Sequence, residues 1–179
     1  MIDNLLIAFW FFLPAGAANM MPILSTQIPL LKKWRTPMDF GFSFHGKRIL
    51  GDNKTWRGLV FGIFSALITG WLLRALVFEH ITWKFGLSQP ELLIAPLMGF
   101  GALAGDALES FFKRWRGIDS GKSWYPFDQI DYIIGGLLAV AFVIDITIGL
   151  VIYVFIVYFA LHLFFSYIGY WLKLKSQPI

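Results

Sequence analysis

The chain contains no cysteine. Disulfides, a thiolate nucleophile and a cysteine-ligated zinc site are therefore excluded. Charge is scarce as well: Asp, Glu, Lys and Arg supply 15% of 179 residues, too little to solvate the surface of a soluble domain. The three histidines, His45, His80 and His162, share no spacing that suits a metal, and His80 and His162 read as interfacial or packing residues. A Walker A pattern is missing too. What remains is apolar: 58% of the residues are hydrophobic and 18% aromatic, and mean hydropathy is +0.67. With 8 Trp as interfacial anchors and 17 Gly to let helices approach, this is the composition of an integral membrane protein.

Helices satisfy backbone polar groups in lipid, and a span needs about 20 apolar residues. The expected fold class is an all-α membrane protein, a single catalytic domain over residues 1–179. Its bundle of about five transmembrane helices lies near 2–24, 59–78, 91–112, 129–147 and 149–172, with two loops forming a polar site. Asp145, Thr147 and Gly149 are expected to supply the turn of a tight hairpin between the last two spans. The first apolar run is expected to be retained as a helix, since Asp3 stands where a secretory signal would carry basic residues.

Lysine and arginine collect on one side. Lys32, Lys33, Arg35, Lys47, Arg48, Lys54 and Arg57 fall in the first long loop, Lys113, Arg114, Arg116 and Lys122 in the second, and Lys173 and Lys175 at the end. Only Arg74 and Lys84 fall near the opposite face. The positive-inside rule then predicts a multi-pass cell-membrane protein with the N-terminus outside, and the C-terminus and both long loops cytoplasmic. The net charge of +4 is thereby accounted for by topology, and no nucleic-acid partner is expected.

Topology needs charge but not the pattern HGKRILGDNKTWRG from His45 to Gly58. Gly46, Gly51 and Gly58 permit close backbone approach to a ligand. Lys47, Arg48, Lys54 and Arg57 can neutralise a multiply charged anion, with arginine offering a fork to phosphate. Lys54 to Arg57 precede a span, where a helix N-terminus favours phosphate. Binding of anionic lipid headgroups explains the same loop.

The densest polar stretch is GDALESFFKRWRGIDSGKSWYPFDQIDYIIGG, from Gly105 to Gly136. Charge at membrane depth costs on the order of 2.5–3.5 kcal/mol per group, so its presence points to function. Asp106, Ser110 and Lys113 fall on one helical face, with Arg114 adjacent, while Glu109 is expected to point off it. Asp128 and Asp131 share a face of the next helix. Clustered carboxylates suit Mg²⁺ completed by water and substrate phosphates. Ion pairing of Asp106 with Lys113, or of Asp131 with Arg114, would use the same residues to tie helices together. Asn19 is an amide at an otherwise apolar place, available to a ligand or to a neighbouring helix. Thr55 and Ser120 lack an adjacent base, which leaves nucleophilic hydroxyl catalysis without support.

Gly105 and Asp106, Ser110, Lys113 and Arg114, Asp119 to Gly121, Pro126, Asp128 and Asp131 together resemble the C-terminal motif of the membrane-bound phosphatidate cytidylyltransferase superfamily. The ANMMPIL run from Ala18 to Leu24 and the first-loop pattern are more similar still to its archaeal ether-lipid branch, the CDP-archaeol synthases. Ile118, where a basic residue is expected, and Gln129, in place of arginine, depart from the bacterial and eukaryotic pattern. The resemblance implies a nucleotidyltransferase that uses CTP and Mg²⁺. Its substrate would be an unsaturated isoprenoid ether-lipid phosphate, a digeranylgeranyl glycerol phosphate, and its products CDP-archaeol and diphosphate for membrane phospholipid biosynthesis. By resemblance and chemistry, Asp128 and Asp131, with Asp106, would hold the metal. Lys54, Arg57, Lys113 and Arg114 would hold triphosphate or lipid phosphate. Asn19, Lys47, Arg48, Gly51, Asp52, Asn53, Thr55, Asp119, Ser120 and Gly121 complete the binding residues that it implies. A CTP-dependent polyprenol kinase and an ion or anion transporter are the rival readings. The oligomeric state is left open.

Overall fold

The computed structural model describes residues 2–85 and 91–173. The side chains of His80 and Lys84, and Lys175, lie outside the described part. The chain folds into α1 (Ile2–Leu24), a short α2 (Pro29–Lys32), strands β1 (Ser43–Phe44) and β2 (Lys47–Arg48), then α3 (Trp56–Phe85), α4 (Glu91–Trp115), α5 (Phe127–Ala141) and α6 (Ile148–Trp171). The two strands form an antiparallel hairpin, pairing Ser43 with Arg48 and Phe44 with Lys47, a small β element that hydropathy does not reveal.

Among the described residues, three helices are long and apolar enough to cross a membrane: Ile2–Leu24, Trp56–Leu76 and Ile148–Trp171. The expected fourth span ends early. At 1.5 Å per residue the 15 residues of α5 reach only about 22 Å, short of the roughly 30 Å hydrocarbon core. The apolar stretch after Ala141 is a turn instead, and Thr147 caps α6 by accepting a bond from the Leu150 amide at 3.3 Å. Gly149 lies inside the first turn of α6 and not in the connection.

Capping fixes the other ends near the polar region. Thr55 Oγ1 accepts from the Gly58 amide at 3.2 Å, starting α3 immediately after the glycine-rich loop. Gly117, at φ +79°, stops α4: its amide donates to the Arg114 carbonyl, and the Ile118 amide donates to that of Lys113. A residue with a Cβ is disfavoured in this left-handed position.

Helix α4 is central, packing on α5, α3 and α1. Its contact with α5 is made backbone to backbone. A Cβ on Gly101 would strike Ala139 and the Gly135 carbonyl, and one on Gly105 would strike the Asp131 carbonyl. Small residues one turn apart let two helices approach this closely. The consequence is chemical, since Asp106 follows Gly105 in sequence and Asp131 is the residue against which Gly105 packs. Towards α1 and α3, Ala18, Ala66 and Leu103 form a second small-residue contact. Phe12, Met98, Ile133, Val140 and Val154 fill the main core. Helix α6 is tethered by two hydroxyls: Tyr158 donates to the Phe9 carbonyl at 2.6 Å, and Tyr132 donates to the Tyr158 carbonyl at 2.9 Å.

Candidate active site

A cavity of about 890 Å³ opens where the polar ends of α1, α3, α4, α5 and α6 meet the two loops. Asn19 lines it from α1, Asp52 to Thr55 from the first loop, and Arg57 from α3. Asp106, Glu109, Ser110, Lys113 and Arg114 line it from α4. Ser120 and Gly121 come from the second loop, and Asp128 and Gln129 from α5. The loops touch: Asn53 Nδ2 donates to Ser120 Oγ at 3.0 Å, and a Cβ on Gly51 would meet the same hydroxyl at 3.5 Å.

Three carboxylates converge at the base of the cavity. Asp106, Glu109 and Asp131 each offer an oxygen within 4.8 Å of the others. Asp131 does not form part of the cavity wall itself but joins this cluster from α5. Asp131 Oδ2 and Glu109 Oε1 are buried without a hydrogen-bond partner. Buried carboxylate oxygens normally have partners; Glu109 Oε1 has only the Lys113 ammonium at 3.5 Å, and oxygens clustered in this way are what a hard divalent cation requires. The donor set suits a divalent metal ion.

The trio differs from the one expected. Glu109 faces the cluster, because 106, 109, 110 and 113 are spaced i, i+3, i+4 and i+7 and share one face. Asp128 is engaged elsewhere. Its Oδ1 accepts from Lys113 Nζ at 2.6 Å and its Oδ2 from the Trp124 amide at 2.6 Å, so it anchors the second loop to α4. Lys113 also lies 3.5 Å from Glu109. Neither pairing of the alternative reading, Asp106 with Lys113 or Asp131 with Arg114, forms among the described residues.

Lys54 reaches across from the first loop to Asp106, at 2.5 Å. Burial works against its charge, yet Asp106, reinforced by Asp131 and Glu109, lifts the ammonium above the ordinary lysine pKa. Lys54 thus remains a cation beside the carboxylate cluster. Arg114 lines the cavity with its Nε buried and unpartnered.

Lys47, Arg48, Gly51 and Asp119 stand off the cavity wall. Arg48 is held at 2.7 Å by Asp39 and at 2.6 Å by Asp52, and Lys47 Nζ donates to the Trp115 carbonyl at 3.4 Å, at the end of α4. Both basic groups brace the loop. Asp39, which no pattern in the sequence marks, organises it by accepting also from the amides of Gly41, Leu50 and Gly51. Burial alone would raise its pKa, but the Arg48 bond and these three amides together pull it down to about 2. The depressed value means that the carboxylate's contribution is complete above pH 4 and is lost as pH falls through about 2. Asp39→Asn should loosen the loop at neutral pH. Trypsin cleavage after Lys47 and Arg48 is expected to quicken about tenfold, the scale of one lost charge-assisted bond. Equal cleavage rates would show that the loop does not depend on Asp39.

Several wall residues were not singled out as site residues from the sequence: Lys32, Arg35, Lys122, Gln129, His162 and Ser166. His162, read as an interfacial or packing residue, does pack against Tyr132, with ring centres 5.5 Å apart and planes tilted by 37°, but it also lines the cavity.

The family model for CarS-like proteins, described as CDP-archaeol synthase, matches residues 1–179. The chain belongs to the CDP-archaeol synthase family. The CDP-archaeol synthase of Thermococcus onnurineus is 34% identical over 178 residues, covering 99% of this chain and 98% of the relative. That of Sulfolobus acidocaldarius is 32% identical over 177 residues, with 98% of each covered, and that of Methanospirillum hungatei 37% over 150 residues, 79% and 89%. A solved structure of an intramembrane enzyme for archaeal membrane lipids biosynthesis superposes with a TM-score of 0.73 at 30% identity, over 89% of this chain and 92% of that one. As a member of this family the chain is an enzyme of the nucleotidyltransferase class, and it is a membrane protein.

Proposed function

We propose that this CDP-archaeol synthase family member joins CTP to an unsaturated dialkyl glycerol phosphate of the digeranylgeranyl type, forming CDP-archaeol and releasing diphosphate. A phosphate oxygen of the lipid attacks the α-phosphorus of CTP, a new P–O bond forms there, and the bond to the bridging β-phosphate oxygen breaks. A phosphate monoester is already ionised near neutral pH, so no general base is needed. Catalysis of this kind rests on alignment and neutralisation of charge.

Asp106, Glu109 and Asp131 would hold Mg²⁺, which supplies positive charge to the phosphate oxygens when bound. Lys54 is kept beside those carboxylates by its ion pair with Asp106, and Lys113 by its pairs with Glu109 and the neighbouring Asp128, so their ammonium groups are placed where an incoming triphosphate needs countercharge. Arg114, Asn53, Ser120 and Gly121 form the nucleotide side of the cavity, where the two loops meet. Five helices, α1 and α3 to α6, are seated in the cell membrane, with the N-terminus outside and the cavity at the cytoplasmic interface. There a soluble nucleotide meets a lipid headgroup. The observation that carries this reading is the convergence of three carboxylates and several cations at the ends of membrane helices.

Purified protein given CTP, Mg²⁺ and the lipid phosphate should yield CDP-lipid and diphosphate in equal amounts. Release of CDP with a newly phosphorylated lipid would assign a kinase instead. Ion uptake into proteoliposomes without nucleotide consumption would assign a transporter.

A further inference from the structure

The cations around the cavity differ in their counter-charges. Lys54 and Lys113 are paired with carboxylates. Lys32, Arg35 and Arg57 also line the cavity, yet none of the three forms an ion pair among the described residues. Arg57 is only 5% exposed. Its Nη1 donates to the Leu31 carbonyl at 3.3 Å, while its Nε is buried with no partner. Arg35 donates its Nε to the Lys32 carbonyl at 3.3 Å and lies near enough for its charge to act on Arg57. Two guanidinium groups and an ammonium gathered at one cavity wall, one of them buried and short of a partner, are suited to a doubly charged phosphate.

The surroundings of this wall indicate which phosphate. Arg57 is hydrogen-bonded to α2, and its neighbour Gly58 packs so closely on the end of α1 that a Cβ would meet Pro22 at 3.3 Å. Pro22 and Ile23 line the same cavity and give it an apolar flank. The adjoining segment exposes Leu24, Ile28, Leu30 and Trp34, with Leu30 at 81%. Exposed apolar residues with a tryptophan and lysines at the end of a membrane helix belong at the lipid interface. An anion arriving at this wall brings hydrocarbon with it. Asn53, Arg114, Ser120 and Lys122, which line the cavity where the two loops meet, are polar or basic and suit the water-soluble nucleotide.

Resting on the function given above, we propose that Lys32, Arg35 and Arg57 form the subsite for the phosphate monoester of the lipid substrate, distinct from the cations that hold the triphosphate. The two substrates then approach the carboxylate cluster from opposite sides, as an in-line displacement at the α-phosphorus requires.

Arg35→Ala and Lys32→Ala change exposed side chains and should fold normally; Arg57→Lys keeps the charge and removes the fork. Initial rates in detergent micelles, varying one substrate at a time, should show KM for the lipid phosphate raised about tenfold in Arg35→Ala and Arg57→Lys. KM for CTP should stay within about twofold, as should the thermal shift produced by CTP and Mg²⁺ without lipid. A raised KM for CTP with the lipid KM unchanged would overturn the subsite, and so would wild-type values for both. A wild-type protein that makes no CDP-lipid overturns the proposed reaction and the subsite with it. A competent wild type whose variants lose CTP affinity overturns the subsite alone.

Discussion

Asp131→Asn is expected to lower kcat by a hundred- to a thousandfold, roughly the loss seen when one group that stabilises transition-state charge is removed. The same variant should fold at least as well as the wild type. Asp131 is 9% exposed, its Oδ1 accepts from the Tyr132 amide, and its Oδ2 has no partner. The asparagine retains an acceptor for the amide and removes a buried charge that forms no direct ion pair among the described residues. Two measurements check this. Thermal unfolding without Mg²⁺ should give a Tm no lower than that of the wild type, and the rise in Tm on adding Mg²⁺ should vanish, because a ligand that binds only the folded state stabilises in proportion to its affinity. Near-normal turnover, or an unchanged Mg²⁺ response, would remove Asp131 from the metal site.

Gly105→Ala is expected to be nearly as damaging, although it adds one methyl group at a position off the cavity wall. That methyl would fall on the Asp131 carbonyl, which belongs to the backbone and cannot swing aside. Helices α4 and α5 must separate, at a cost of about 1–3 kcal/mol for overpacking. Separation also moves Asp106 from Asp131, and a displacement of about 1 Å at reacting groups costs on the order of a hundredfold in rate. Gly149→Ala is the matched control, since a Cβ there meets nothing within 4 Å. It should leave both Tm and kcat as they are. Full activity in Gly105→Ala would show that close packing of α4 on α5 does not set the carboxylate geometry.

Much of this was legible before the fold. The polar ladder of Asp106, Ser110 and Lys113 follows from helical spacing, and all three line the cavity. Glu109, expected to point off that face, belongs to it, because i+3 shares a face with i+4. The first loop's mixture of glycine and basic residues pointed to a phosphate site, and Lys54 and Arg57 do face the cavity. Spacing could not separate these from Lys47 and Arg48, because the difference lies in partners distant along the chain. Arg48 is claimed by Asp39, nine residues away, and Lys47 by the end of α4, 68 residues away.

The sequence by itself determined the solvent, a mostly helical chain and the family. An apolar chain with few charges has to satisfy its backbone internally, and the charges that remain must cluster. Only the tertiary structure decided which carboxylates meet. Asp106 and Asp131 come together because Gly101, Gly105 and Gly135 allow two backbones to touch, while Asp128, three residues from Asp131, is drawn off by Lys113 and the Trp124 amide. A carboxylate's role is set by the donors within about 3 Å of it, and that distance is fixed by packing and not by order along the chain.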